Sequence, residues 1–215
     1  MNHYIREPFN SLSHFLGAGL SVIALLMMVE KAISNEESIL QVIAVSIFGL
    51  SMILLYSTSA IYHMVLATDK TIAYFRKLDH SMIYILIAGS YAPLCLIALE
   101  GKTGVILFSI VASLAIAGVL FKMVWFHSPR WLSTGLYIAM GWIIVFLAAP
   151  LSERLSMNGL LLLIGGGVMY TIGGAIYAAK PDILKISPLG FHEIFHIFIL
   201  LGTLCHFLCV YFYVL

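Results

Sequence analysis

The stretch HEIFHIFILLGTLCHFLCVYFYVL, His192 to Leu215, decides the fold. After Glu193 it holds no Asp, Glu, Lys or Arg, and as a helix rising 1.5 Å per residue it reaches about 36 Å, enough to cross a hydrocarbon core of about 30 Å. A helix that apolar on every side has no face for water and belongs in lipid, where its backbone bonds to itself. Six further runs of this kind precede it: His14 to Val29, Ile39 to His63, Asp79 to Ala98, Gly104 to Trp125, Trp131 to Ala149 and Gly159 to Ala179. The connections, Lys31 to Ser38, Met64 to Leu78, Leu99 to Thr103, Phe126 to Arg130, Pro150 to Asn158 and Lys180 to Phe191, are short and hold nearly every charge. The chain reads as an all-α integral membrane bundle of seven transmembrane helices, one domain over residues 1–215.

Composition agrees. Of the 215 residues, 62% are hydrophobic and 10% charged, against roughly a quarter charged in soluble domains, so no water-facing surface can be covered. A net charge of +1 leaves no basic excess for nucleic acid, and we expect no such partner. Cys95, Cys205 and Cys209 lie in apolar runs with no framework spacing and read as small core residues. The first run lacks a small-residue cleavage pattern and reads as a retained helix rather than a secretory signal.

Orientation follows from the Lys and Arg residues on alternate sides. Arg6, Lys70, Arg76, Lys77, Lys122, Arg130, Lys180 and Lys185 share the side of the N-terminus, against Lys31, Lys102 and Arg154 on the other. This places the N-terminus in the cytoplasm and the C-terminus outside, with the acidic Glu30, Glu36 and Glu37 external. Gly167, Thr171 and Ala175 form a small-residue ladder on the sixth run, which predicts close helix packing. Trp125, Trp131, Tyr74, Tyr211 and Tyr213 flank runs as an interfacial belt.

Ionisable groups at the ends of membrane helices are costly unless they serve a purpose. His63 closes the second run, Asp79 and His80 open the third, and His192 and His196 open the seventh, all on the cytoplasmic side. His192 and His196 are four residues apart, so both imidazoles share one helix face and can bind one zinc ion; His63 is the expected third ligand. Three nitrogens leave the open fourth position of a catalytic site. Ser59 lies one turn before His63 on the same face, and Asp79 lies at the same level, so we take these two as the catalytic pair beside the metal.

His192-Glu193-Ile194-Phe195-His196 also matches the HExxH pattern of zinc proteases, in which the glutamate is the general base. That reading needs a further acidic ligand. None follows on the last run, and Asp182, upstream, is the near candidate. Among the other histidines, His3 and His127 are expected in solvated segments, and His14 near a helix cap supplied by Ser11 or Ser13. His80 is either a support for the site or a plain interfacial residue. His206, about 15 Å deeper than His196, should hydrogen-bond within the bundle.

Taken together, "EPFNSLSHFLGA", the Ser-xxx-His of "YSTSAIYH", the Asp of "RKLDHSMIYILIAGSYAP" and "GFHEIFHIF" followed by "CHFLCVYFYV" resemble the bacterial hemolysin III family, the prokaryotic branch of the progestin and adipoQ receptor family. The resemblance covers nearly the whole chain. It implies a multi-pass protein of the bacterial inner membrane, with zinc on His63, His192 and His196 and with Ser59 and Asp79 bordering the metal's open position. Through the related alkaline ceramidases it implies hydrolysis of a membrane-lipid amide or ester in the service of lipid homeostasis. Two alternatives stand beside it: a non-enzymatic sensor or receptor in which zinc is structural, and a haemolytic or pore-forming factor. The chain lacks the long N-terminal extension of the animal receptors, which argues against a hormone-receptor role.

Overall fold

The computed structural model describes residues 5–34, 38–181, 183 and 189–215. The expectations for His3, Glu36, Glu37, Asp182 and Lys185 fall outside them. The described residues form seven helical spans long and apolar enough to cross a membrane: Pro8–Ser34, Ile39–Met64, Asp69–Ala98, Gly101–Val124, Arg130–Arg154, Met157–Ala179 and Phe191–Val214. Large apolar side chains such as Phe15, Leu16, Leu26, Val124 and Phe146 point outward, as a lipid-facing surface requires.

Two spans begin earlier than hydropathy suggests. The first starts at Pro8, whose fixed φ suits the first helical position. Ser11 and Ser13 are therefore inside the helix and do not cap it: Ser11 Oγ donates to the Ala60 carbonyl (3.1 Å) and Ser13 Oγ to that of Asn10 (3.1 Å). The third starts at Asp69, where the Thr68 side chain accepts from the Thr71 N–H (3.4 Å), not at Asp79. The residues expected as loop, including Lys70, Arg76 and Lys77, are a polar helical extension that places Asp79 and His80 in the third turn.

Position in the bundle differs sharply between spans. The most apolar stretch of the third span is 61% buried and that of the fifth 17%, so the third is central and the fifth peripheral. One core joins the first, second and seventh spans through Met28, Phe48, Met52, Tyr56 and Ile199; another joins the third, fourth and fifth through Tyr84, Tyr91, Val111, Ala115 and Met140. The sixth and seventh spans meet where Gly166 faces the His206 ring and Gly173 faces Phe198, whose Cβ is 2.8 Å from the place a methyl would occupy. The ladder that admits close approach to the seventh span thus uses Gly166 and Gly173. Of the expected trio, Gly167 and Thr171 meet Trp142, whose Nε1 donates to Thr171 Oγ1 (2.9 Å), and Ala175 is exposed.

The fifth span is broken. Helix Arg130–Gly141 passes through a 3₁₀ segment, Trp142–Leu147, before resuming as Ala148–Arg154. Freed backbone groups at membrane depth need new partners. The Tyr91 hydroxyl supplies them, donating towards the Met140 (3.0 Å) and Gly141 (2.8 Å) carbonyls and accepting from the Ile144 N–H (2.9 Å). The aromatic belt is likewise mixed: Tyr74, Trp125 and Trp131 are exposed, whereas Tyr213 packs on Gly159 and Tyr211 lies under the Lys31 ammonium, 4.8 Å from its ring centre.

Candidate metal centre

The end of the second span and the start of the seventh bring three histidines together. The ring centre of His63 lies 5.0 Å from that of His192 and 4.9 Å from that of His196, and the latter two are 4.8 Å apart. One nitrogen from each lies within 4.8 Å of the others. Two nitrogens on a tetrahedral zinc with bonds near 2.05 Å are about 3.4 Å apart, so a ring movement of about an ångström completes the cluster. This buried group can hold a metal ion.

The hydrogen bonds of the rings favour that use. His63 is wholly enclosed; its Nδ1 is 2.6 Å from Glu7 Oε2, and its Nε2 has no partner. His196 Nδ1 is also buried without a partner. A buried polar atom left unbonded costs stability comparable to a lost hydrogen bond, so two such nitrogens in one cluster of histidines have the chemistry of ligands awaiting a cation. A carboxylate on the far nitrogen of a ligating histidine fixes its tautomer and raises its basicity.

Glu7 was not legible as part of the site from the apolar runs. Its backbone N–H donates to the His63 carbonyl (3.0 Å), clamping the first span to the end of the second. The His63 hydrogen bond, only partly opposed by burial, holds the Glu7 carboxyl down at about 2. Asn10 adds a cross-link, its Nδ2 donating to Glu7 Oε2 (3.3 Å) and to Glu193 Oε1 (3.1 Å). His14, expected near a helix cap, instead stacks on His196 with ring centres 3.7 Å apart and planes at 11°. Glu7, Asn10 and His14 follow each other at intervals of three and four, one helix face, which is the signal that could have found them.

The second oxygen of Glu193 accepts from the Gly190 N–H (2.9 Å). Both of its oxygens therefore hold the start of the seventh span in place, and the base required by the protease reading is already occupied with structure.

The chain matches a family model described as Haemolysin-III related over residues 2–207. It is 38% identical to "Hemolysin-3" of Bacillus cereus, over all of this chain and 95% of that protein. The chain belongs to the haemolysin III family. A "Hemolysin-3 homolog" of Bacillus subtilis (strain 168) is 39% identical over 96% of this chain and 93% of its own. With seven apolar spans, the family places the protein as a multi-pass bacterial membrane protein.

In this haemolysin III protein the triad adjoins a partly open cavity of about 760 Å³, within the range of small-molecule sites. Ser59, Asp79, His192 and His196 line it, whereas His63 sits behind the wall. Ser59 and Asp79 thus lie on the same wall as His192 and His196, and the expected pair and the triad share one location. Farther along, the lining turns apolar at Val145, Ala148, Leu151, Leu160 and Ile164. The remaining histidines stand apart from the triad. His80 faces Tyr177 (Nε2 to the hydroxyl, 3.3 Å) and its carbonyl accepts from Tyr137 (3.0 Å); His127 is exposed; His206 Nε2 is 3.2 Å from the Leu163 carbonyl.

Proposed function

We propose that the protein is a zinc-dependent hydrolase of a membrane-lipid amide or ester, with His63, His192 and His196 as ligands and the triad end facing the cytoplasm. The observation that carries this reading is the pair of buried, unpartnered nitrogens on His63 and His196, in a cluster that borders a cavity charged at one end and largely apolar farther along. Zinc held there would supply Lewis acidity towards a carbonyl and lower the pKa of water. The residues around it divide the remaining work. Asp79, on the cavity wall, would accept a proton, and Ser59, on the same wall, would donate to the oxygen on which charge develops. Glu7 keeps the His63 ring oriented. The apolar lining accommodates a hydrocarbon chain and keeps water from it.

A lytic pore, suggested by the relatives' names, fits less well, since the charged groups that line the cavity gather at its triad end. The test is metal analysis of purified wild type beside His192→Ala and Asp79→Asn, followed by turnover of N-acyl sphingoid and glycerolipid substrates. We expect zinc near one per chain in wild type and Asp79→Asn but not in His192→Ala, with turnover in wild type alone. Stoichiometric zinc without turnover of any of these lipids would replace the hydrolase by a sensor in which the metal ties spans together.

A further inference from the structure

Beside the triad the cavity has a second polar wall, formed by the third, fourth and fifth spans, which the proposed hydrolysis does not use. Its centre is Lys122, 3% exposed and still lining the cavity. Its ammonium donates to Ser128 Oγ (3.2 Å) and to Ser133 Oγ, and the two hydroxyls lie 3.0 Å apart. No carboxylate meets it: among the described residues the ion pairs are those of Glu7 with Arg6 and with His63. Other cations approach instead. Arg76 lies 4.6 Å and Lys122 5.9 Å from the centre of the Phe126 ring, and Arg130 lies 5.3 Å from that of Tyr177. The His80 ring joins the two groups, its centre 5.7 Å from that of Phe126 and 6.2 Å from that of Tyr177, so the three cations surround one histidine. Asp79, which also lines the cavity, makes no ion pair with any of them.

Like charges gathered around a desolvated ammonium repel one another, and hydroxyls relieve the lost hydration without neutralising the charge. An anion completes such a wall. Arginine forks match the oxygens of phosphate, serine hydroxyls can turn to donate, and the helix that begins at Arg130 adds the positive end of its dipole. We infer that Lys122, Arg76 and Arg130, with Ser128 and Ser133, bind a phosphate oxyanion carried on the headgroup of a membrane lipid. The cavity argues for the lipid source, because a free ion has no use for the apolar lining that continues from this wall. Binding here stands without the metal chemistry. Where it deepens the proposed function, and so rests on that reading, it narrows the substrate class to phosphate-bearing lipids.

The experiment is lipid binding to the full chain in an uncharged detergent, with dioleoylphosphatidic acid, dioleoylglycerol and inorganic phosphate as probes. Phosphatidic acid should bind at least about tenfold more tightly than dioleoylglycerol, a difference that Lys122→Met removes. Arg76→Gln, at an exposed position, should reduce the preference even if Lys122→Met fails to fold. His192→Ala should keep the preference while losing metal, so failure of the hydrolase reading is visible separately. Equal binding of the two lipids, or a preference that survives both Lys122→Met and Arg76→Gln, overturns the site. Inorganic phosphate that binds as tightly as phosphatidic acid overturns the lipid source in favour of the free ion.

Discussion

His63 and Lys122 sit at the same end of the bundle, each 3% exposed or less, yet the fold supplies them with opposite company. His63 has the Glu7 carboxylate on one nitrogen and nothing on the other; Lys122 has two serine hydroxyls and further cations nearby. A carboxylate behind an imidazole prepares it for a cation. Hydroxyls around an ammonium leave its charge in place for an anion. Two buried basic side chains, on the spans that flank the third, therefore create opposite demands, and the partner rather than the residue type sets the sign.

The largest effect should come from breaking the first member of this pair. His63→Ala removes one of the three proposed ligands, and zinc in purified protein should fall from about one per chain to below about 0.1. Retention of full zinc would show that the triad is not the site. Glu7→Gln is the sharper version, because it keeps the ring and removes only the charge behind it. Losing a carboxylate of this kind weakens metal binding by about 10- to 100-fold, which competition with a zinc chelator measures. An unchanged affinity would mean that Glu7 serves only to clamp the first span.

Much of this molecule was legible before any coordinates. The seven spans were, because lipid demands a run of apolar residues and little else produces one. The triad was, because His192 and His196 share a face and His63 ends the second span at the matching level. What escaped is polar and local. The third span extends back to Asp69 through Lys70, Arg76 and Lys77, and hydropathy cannot see a helix that continues into water. Glu7 and Asn10 lie before the first apolar run, so they read as a tail although their spacing to His14 is helical. Lys122 looked like one more cytoplasmic charge; nothing in its own surroundings announces that Ser128 and Ser133 fold back over it.

The second member of the pair predicts a change of opposite sign. Lys122→Met removes a buried charge while leaving Ser128 and Ser133 bonded to each other (3.0 Å), so no hydroxyl is orphaned. Removing a buried charge that no carboxylate neutralises relieves a desolvation penalty on the order of several kcal/mol. In delipidated, phosphate-free detergent the variant should therefore unfold at the same or a higher temperature than wild type, although it binds phosphatidic acid less well. A clear drop would mean that Lys122 is needed for the fold.

Neutral polar groups elsewhere set the scale for both. Tyr91→Phe strips the broken fifth span of its substitute partner, removing the hydroxyl that serves the Ile144 N–H and the Gly141 carbonyl, for a loss of about 1–3 kcal/mol. Tyr56→Phe should cost less. The Tyr56 hydroxyl donates to Thr203 Oγ1 (2.6 Å) and, at longer range, towards the Ile199 carbonyl (3.4 Å), but the Thr203 oxygen also lies 2.8 Å from the Tyr170 hydroxyl, so the variant leaves its main partner served. A net loss of about 1 kcal/mol follows, read as the shift in unfolding midpoint. Zinc and phosphatidic acid binding should stay at wild-type levels, because Tyr56 lies in the core of the first, second and seventh spans rather than among the ligands. If Tyr56→Phe lowered zinc affinity as much as Glu7→Gln, the edge contact of Tyr56 with His14 (5.0 Å), and through His14 with His196, would have to carry part of the metal centre. The carboxylate could then no longer be credited as the feature that separates His63 from Lys122.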